Sequence, residues 1–287
     1  MKNYALSLLN IETKRIMWNK NRFFTLIFCA IVVVCQAQQV DLLQEEKNLA
    51  TLFKGLKESN DDTFKDSLNT LIYNKLKDIS VYPETFGYPF DSLHYLGKIY
   101  ATDGKLRLFT WNYPTHNGYR FNGLVLSNTG RSWSLHSAAT TEPTETGTID
   151  LNHWYGALYY EAIAYKWKHQ TVYVLLGWAQ TNSRYQTKII DALVLDDENP
   201  HFGAPFFEMN DGTYAYRRVF RYDVQTIMNL FYDARKNRIV FDHLSPMKTD
   251  VYLDEATFGS DMSFDAYIRR PQKWRLQQDI KVKNVKH

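Results

Sequence analysis

Residues 154–197, WYGALYYEAIAYKWKHQTVYVLLGWAQTNSRYQTKIIDALVLDD, are the densest run of strand-forming residues in the chain and decide its fold. β-Branched and aromatic side chains pack well on a pleated surface. The run divides into strands Leu158 to Trp167 and Thr171 to Gln180, joined at Lys168-His169-Gln170, and an apolar run from Lys188 to Leu195. In the first strand Tyr159, Glu161, Ile163, Tyr165 and Trp167 alternate with Tyr160, Ala162, Ala164 and Lys166. In the second both faces are apolar: Val172, Val174, Leu176 and Trp178 oppose Tyr173, Leu175, Gly177 and Ala179. A strand apolar on both faces belongs in a sheet interior, covered on both sides.

Upstream, Asp103-Gly104 is a tight hairpin signal between Lys98 to Thr102 and Lys105 to Trp111. Asn112 to Gly118 reads as a loop, Tyr119 to Ser127 and Arg131 to Ser137 as strands, and TTEPTETGT at 140–148 as an exposed loop. Downstream, Phe202 to Met209 contains Pro205, which cannot donate to a ladder and so marks an edge strand. Strand Thr213 to Tyr222 follows, then the hairpins Gln225 to Ala234 with Arg238 to Leu244 and Ser263 to Arg270 with Lys273 to Gln278, separated by a loop from Ser245 to Asp261. Strands entered near Leu106, Val172 and Ile239 are about 66 residues apart, a rhythm that suits a small or incomplete propeller or, equally, an antiparallel meander.

Residues 38–80 change period. Leu42, Leu49, Phe53 and Leu56, then Phe64, Leu68, Ile72 and Leu76, recur at helical steps, with Ser59-Asn60-Asp61-Asp62 offering caps between them. The expectation is a mainly β fold, an antiparallel meander of hairpins over 81–287, preceded by a short α-helical segment over 38–80.

Residues 1–37 have the pattern of a signal peptide: Lys14, Arg15, Lys20 and Arg22 precede the apolar run Phe23 to Val34, and Ala37 ends the segment, with Met1 or Met17 as the start. The apolar run is short for a membrane span, so cleavage leaves no transmembrane segment. It also removes Cys29 and Cys35, the two cysteines of the chain, so the remaining domain relies on its core rather than on disulfides. Val32-Val33-Val34-Cys35 matches a lipid-anchor motif poorly, because Val34 is bulky. The leader carries five basic residues against one acidic, so its loss takes the formal net charge from +3 to −1 and argues against nucleic acid as a partner.

Standard catalytic signatures are absent: there is no Gly-x-Ser-x-Gly elbow, His-Glu-x-x-His helix or phosphate-binding Gly-x-x-x-x-Gly-Lys loop. The histidines lack zinc-like spacing, and neither a metal nor a cofactor is implied. The candidates for ligand contact are Trp111 and Trp154, which adjoin loops carrying His116 and His153, with His201, Asp242 and His243. Asp242-His243 is chemically suggestive, but neighbours on a strand face opposite ways, so this carboxylate is badly placed to orient this imidazole. Among Glu161, Asp191, Asp196, Asp197, Asp254 and Asp265 an acid/base pair for glycoside cleavage is conceivable. Glu161 and Asp191 interrupt apolar runs, however, and a buried carboxylate needs an Arg or Tyr partner, which favours structural pairing.

The segments GWAQTNSRYQTKIIDALVLDD (177–197), HFGAPFF (201–207) and RIVFDHLSPM (238–247) resemble an uncharacterised family of exported, β-rich proteins of Bacteroidetes-type bacteria, over roughly residues 90–280. The resemblance implies export and a β fold and carries no catalytic residues. The sequence therefore leads to an exported, periplasmic or extracellular, non-catalytic binding or envelope-associated protein with a protein or glycan partner. The alternative is a periplasmic or secreted hydrolase acting on glycans through strand-end carboxylates or His.

Overall fold

The computed structural model describes residues 40–137, 143–180, 184–196, 199–247 and 258–282. The leader with both cysteines, the start of the 140–148 stretch, Asp197 and Asp254 lie outside them. One compact unit begins at Leu42; of the separate unit that ends at Asp41, only the last two residues are described. Among the described residues no helix is long and apolar enough to cross a membrane.

Two antiparallel helices come first, α1 (Leu42–Glu58) and α2 (Asp62–Ile79), with a short turn of helix α3 at Glu84–Gly87. Asp61 caps α2: its Oδ1 accepts from the backbone N–H of Thr63 at 2.8 Å and of Phe64 at 3.2 Å, satisfying donors that the first turn leaves open. The first sheet is an up-and-down meander of β1 (Gly97–Tyr100), β2 (Leu106–Thr115), β3 (Gly118–Ser127) and β4 (Ser132–His136). The expected loop from Asn112 to Gly118 is instead the end of this hairpin: β2 runs on to Thr115, paired with Gly118, and the turn is only His116-Asn117.

The second sheet contains β5 (Ile149–Asp150), β6 (Leu158–Trp167), β7 (Gln170–Ala179), β8 (Tyr185–Val194) and β9 (His201–Phe202) in the order β5-β9-β8-β7-β6. The third contains β10 (Phe207–Glu208), β11 (Tyr214–Ala215), β13 (Leu230–Asp233), β14 (Arg238–Pro246), β15 (Phe258–Arg270) and β16 (Lys273–Gln277), while β12 (Arg218–Asp223) returns to pair with β8 of the second. The expected single strand from Phe202 to Met209 is two short strands in different sheets, β9 on β8 and β10 on β16. The crossing falls at Gly203-Ala204-Pro205, where Gly203 has φ +99° and Pro205 has no N–H to give a ladder.

Leu106, Val172 and Ile239 each lie in the second strand of one meander (β1–β4, β6–β9 and β13–β16), so the interval in the sequence marks three successive sheets. These stack with the second sheet in the middle. Val172, Val174 and Leu176 of β7 pack with Phe241 and Tyr267 of the third sheet, whereas Tyr173 and Leu175 pack with Leu106, Leu108 and Val125 of the first. β7 pairs with β6 and β8 at its edges, so it is interior in both directions, as its two apolar faces require.

A bulge in β6 alters one face assignment. The register with β7 slips between Tyr159 and Glu161, which puts Tyr159 with Ala162 on the side of the first sheet, while Ile163 and Tyr165 face the third.

The outer face of the first sheet is covered by the helices. Phe53 meets Trp111 edge-on, with ring centroids 6.2 Å apart. Along α2, Asp62, Asp66, Asn69 and Tyr73 fall at steps of four, three and four, with Lys65 beside Asp66, and bond to His116, Tyr113, Trp111, Ser134 and, for Lys65, the carbonyl of Pro114. A polar seam thus fixes the helix on the sheet beside the apolar contacts.

Candidate functional site

A cavity of about 790 Å³ is an open cleft between β12 of the middle sheet and β14, β15 and β16 of the third, with the turn at Met209 to Asp211 among its lining. Its floor is apolar because Phe220 and Phe241 meet there at 4.7 Å between ring centroids, and Tyr267 stacks on Phe241 at 5.8 Å. Arg218, Arg221, His243, Asn210 and Gln278 surround that floor.

His243 is presented by an irregularity. Between the pairs Asp242/Phe264 and Leu244/Ser260 the register slips, with His243 alone on β14 opposite Asp261 to Ser263 on β15, an excess of two residues, and Met262 at φ +71°. Such bulges re-aim side chains at the ends of strands. The His243 Nδ1 lies 2.9 Å from Oδ2 of Asp265, whose Oδ1 accepts from the backbone N–H of Asp279 at 3.1 Å. This bond to Asp265 raises the imidazole above the ordinary histidine value, while Nε2 is the nitrogen Asp265 does not hold. Asp242 is engaged elsewhere: it accepts from the backbone N–H of Asn229 at 2.9 Å and from the Asn229 amide. The carboxylate that orients His243 is therefore 22 residues away on the neighbouring strand.

The other charges of the cleft are also committed. Arg218 Nε donates to Glu145 at 2.8 Å and its guanidinium bonds the Tyr267 hydroxyl, and Asp211 accepts from Thr213 N at 2.9 Å and Oγ1 at 2.6 Å. The Arg221 guanidinium sits 5.5 Å over the Tyr185 ring.

The other sequence candidates are dispersed. Trp111 and Trp154 are both fully buried, which rules them out as exposed platforms. The Trp111 Nε1 donates to Asn69 at 2.8 Å, and Trp154 stacks on Phe202 while its Nε1 donates to the Tyr159 hydroxyl at 3.1 Å. His116 is exposed in the β2–β3 turn, with Nδ1 2.8 Å from Asp62. His153 and His201 approach one another through Asp150, which holds His153 Nδ1 at 2.8 Å and is the register partner of His201; the His201 Nδ1 donates to the Asn199 carbonyl at 2.7 Å. Among the described residues no group of three or more His, Cys, Asp or Glu is placed to hold a metal.

Asp191 and Glu161 have structural partners. Asp191, on the first-sheet side of β8, is fully buried with Arg217, whose Nε donates to it at 3.2 Å. The Tyr155 hydroxyl also bonds Asp191, and burial, then the Asp191 charge, push the Tyr155 and Tyr159 phenols well above their ordinary values. Arg217 further donates to the carbonyls of Thr144 at 2.7 Å and Phe202 at 3.2 Å, tying the loop before β5 to the sheet. Glu161 accepts from the backbone N–H of Tyr232 at 3.1 Å, and burial raises it above the usual carboxylate value.

Sequence reasoning missed Arg218, Arg221 and the pairing of Asp265 with His243. Arg218 and Arg221 reach the cleft because β12 crosses back to the middle sheet, and His243 meets Asp265 across the β14–β15 ladder; no local spacing carries either. In comparisons with known proteins, no family model, no curated protein and no solved structure matches this chain.

Proposed function

We propose that this chain is an exported binding protein that acts without covalent chemistry and holds an oligosaccharide in the cleft between β12 and β14 to β16. The observation that carries the reading is the composition of that cleft. Phe258, Leu244 and Leu276, backed by the buried Phe220 and Phe241, offer apolar surface to the C–H face of a sugar ring, while His243, Asn210 and Gln278 offer hydrogen bonds to its hydroxyls. Asp211, Asp242 and Asp265 are each bonded within the protein, so they serve as scaffold rather than as an acid and nucleophile across a glycosidic bond. The leader pattern of residues 1–37 supports export.

Saturation-transfer NMR with neutral and acidic oligosaccharides tests the binding. A bound glycan should lose affinity about tenfold on His243→Ala, the worth of one hydrogen bond to a charged group. Failure of every oligosaccharide to bind overturns the reading. The His243–Asp265 pair favours a second reading, hydrolysis with His243 as general base, and release of reducing ends from a bound glycan would establish it instead. For export, the secreted chain should begin at Gln38, and a chain retained in the cytoplasm with its first residues intact would overturn that half.

A further inference from the structure

A second cavity, about 350 Å³, lies far along the chain from the cleft, between the C-terminal end of α1, the segment His94 to Gly97 and the β2–β3 hairpin. Its inner wall is formed by Phe53, Leu56 and Leu96, which are otherwise covered by the core, and the half-buried Pro114 and Leu158 continue the apolar lining. Its volume is at the lower end of the range for small-molecule sites.

The charge at its mouth is of one sign. Lys57 and His94 line it, with the Lys57 ammonium 6.0 Å over the Tyr95 ring, and among the described residues no carboxylate lines it. Two carboxylates near the mouth have basic partners of their own. Asp66, reached through the lining Tyr113, is held by both oxygens on Arg120 Nη1 at 2.6 Å, and Glu58, next to Lys57, lies 3.9 Å from Lys54. His94 keeps at least one ring N–H donor whether or not it is protonated.

We propose that this cavity binds a small amphiphile with a single carboxylate, its apolar body against Phe53, Leu56, Leu96 and Pro114 and its carboxylate at the mouth beside Lys57 and His94. The body of the ligand is aliphatic or aromatic, since the wall provides both kinds of surface. The proposal is independent of the oligosaccharide cleft.

Isothermal titration of the full chain with octanoate, 3-phenylpropanoate and 1-octanol tests it. At least one acid should bind, and which of them binds identifies the body. Octanol should bind about tenfold or more weakly than octanoate, and Lys57→Glu, at an exposed position and with folding checked by circular dichroism, should weaken the acid about tenfold. Leu158→Phe, with folding checked by circular dichroism, should also reduce binding by filling the cavity, and His243→Ala should leave it unchanged. Failure of both acids to bind, binding of octanol as tight as that of the acid that binds, or an unchanged affinity in Lys57→Glu would each overturn the proposal.

Discussion

Replacing Arg217 with Met leaves the Asp191 carboxylate fully buried with only the Tyr155 and Tyr159 hydroxyls and its own strand to answer its charge. The same change strips donors from the carbonyls of Thr144 and Phe202. Breaking one side of a buried pair in this way costs about 3–5 kcal/mol, because the remaining charge is stranded rather than merely unpaired. In a domain of this size that is a fall in melting temperature of about 6–20 °C. Urea unfolding followed by tryptophan fluorescence reads it directly, since Trp154 is bonded to Tyr159 within the network. Adding Asp191→Asn should recover about 2 kcal/mol, because the charge is gone while an acceptor for Tyr155 remains. A loss below about 1 kcal/mol in Arg217→Met, or no recovery in the double variant, would refute the account of this pair.

Three further outcomes follow from the geometry. The His243 imidazole should titrate above the ordinary histidine value of 6.5 in a heteronuclear NMR titration, and Asp265→Asn should bring it down. Its folded value is the raised one, so its contribution to stability is complete below the unfolded value and is lost as pH rises through the folded one. Leu175→Ala, in the fully buried middle of β7, should cost about 2–5 kcal/mol by denaturant unfolding; a loss under about 1 kcal/mol would mean that the first sheet closes over the gap. Gly156 has φ +87° and an added Cβ would stand 2.7 Å from Phe121, so Gly156→Ala should destabilise by about 1–3 kcal/mol, against near-neutrality if the backbone there can relax.

How far the sequence could be read depended on whether the information was local. Period two with apolar residues on both faces placed β7 correctly because a strand's two faces are written in consecutive residues, and Asp61 could be read as a cap from its position ahead of a helical stripe. The need of Asp191 for an Arg or Tyr partner was also legible, since burying a charge in an apolar run requires one, although nothing identified Arg217 or Tyr155. The bulge at Tyr160 was not legible: one additional residue reverses every later face, and its sequence looks like any other alternation. Trp111 and Trp154 were misjudged because adjacency to a loop in sequence says little about cover supplied by α1 or by Phe202. The His243–Asp265 pair was hidden for the opposite reason. Its two members are near neighbours only across the β14–β15 ladder, and the adjacent Asp242 drew attention to the wrong carboxylate.

The middle sheet serves two cores at once, and this bears on how the molecule can come apart. Neither the helices with the first sheet nor the third sheet can leave without uncovering one whole face of β6, β7 and β8. Opening should therefore be concerted across all the layers, and the amides of β7 should exchange with solvent only when the whole unit unfolds, at the same rate whether a weakening substitution lies on its Val174 face or its Leu175 face. A cut near residue 80 would not release a free-standing β domain: Trp111 would lose the cover of Phe53 and its bond to Asn69, and Tyr113 its bond to Asp66. Proteolysis under native conditions should accordingly yield either the intact unit or small fragments.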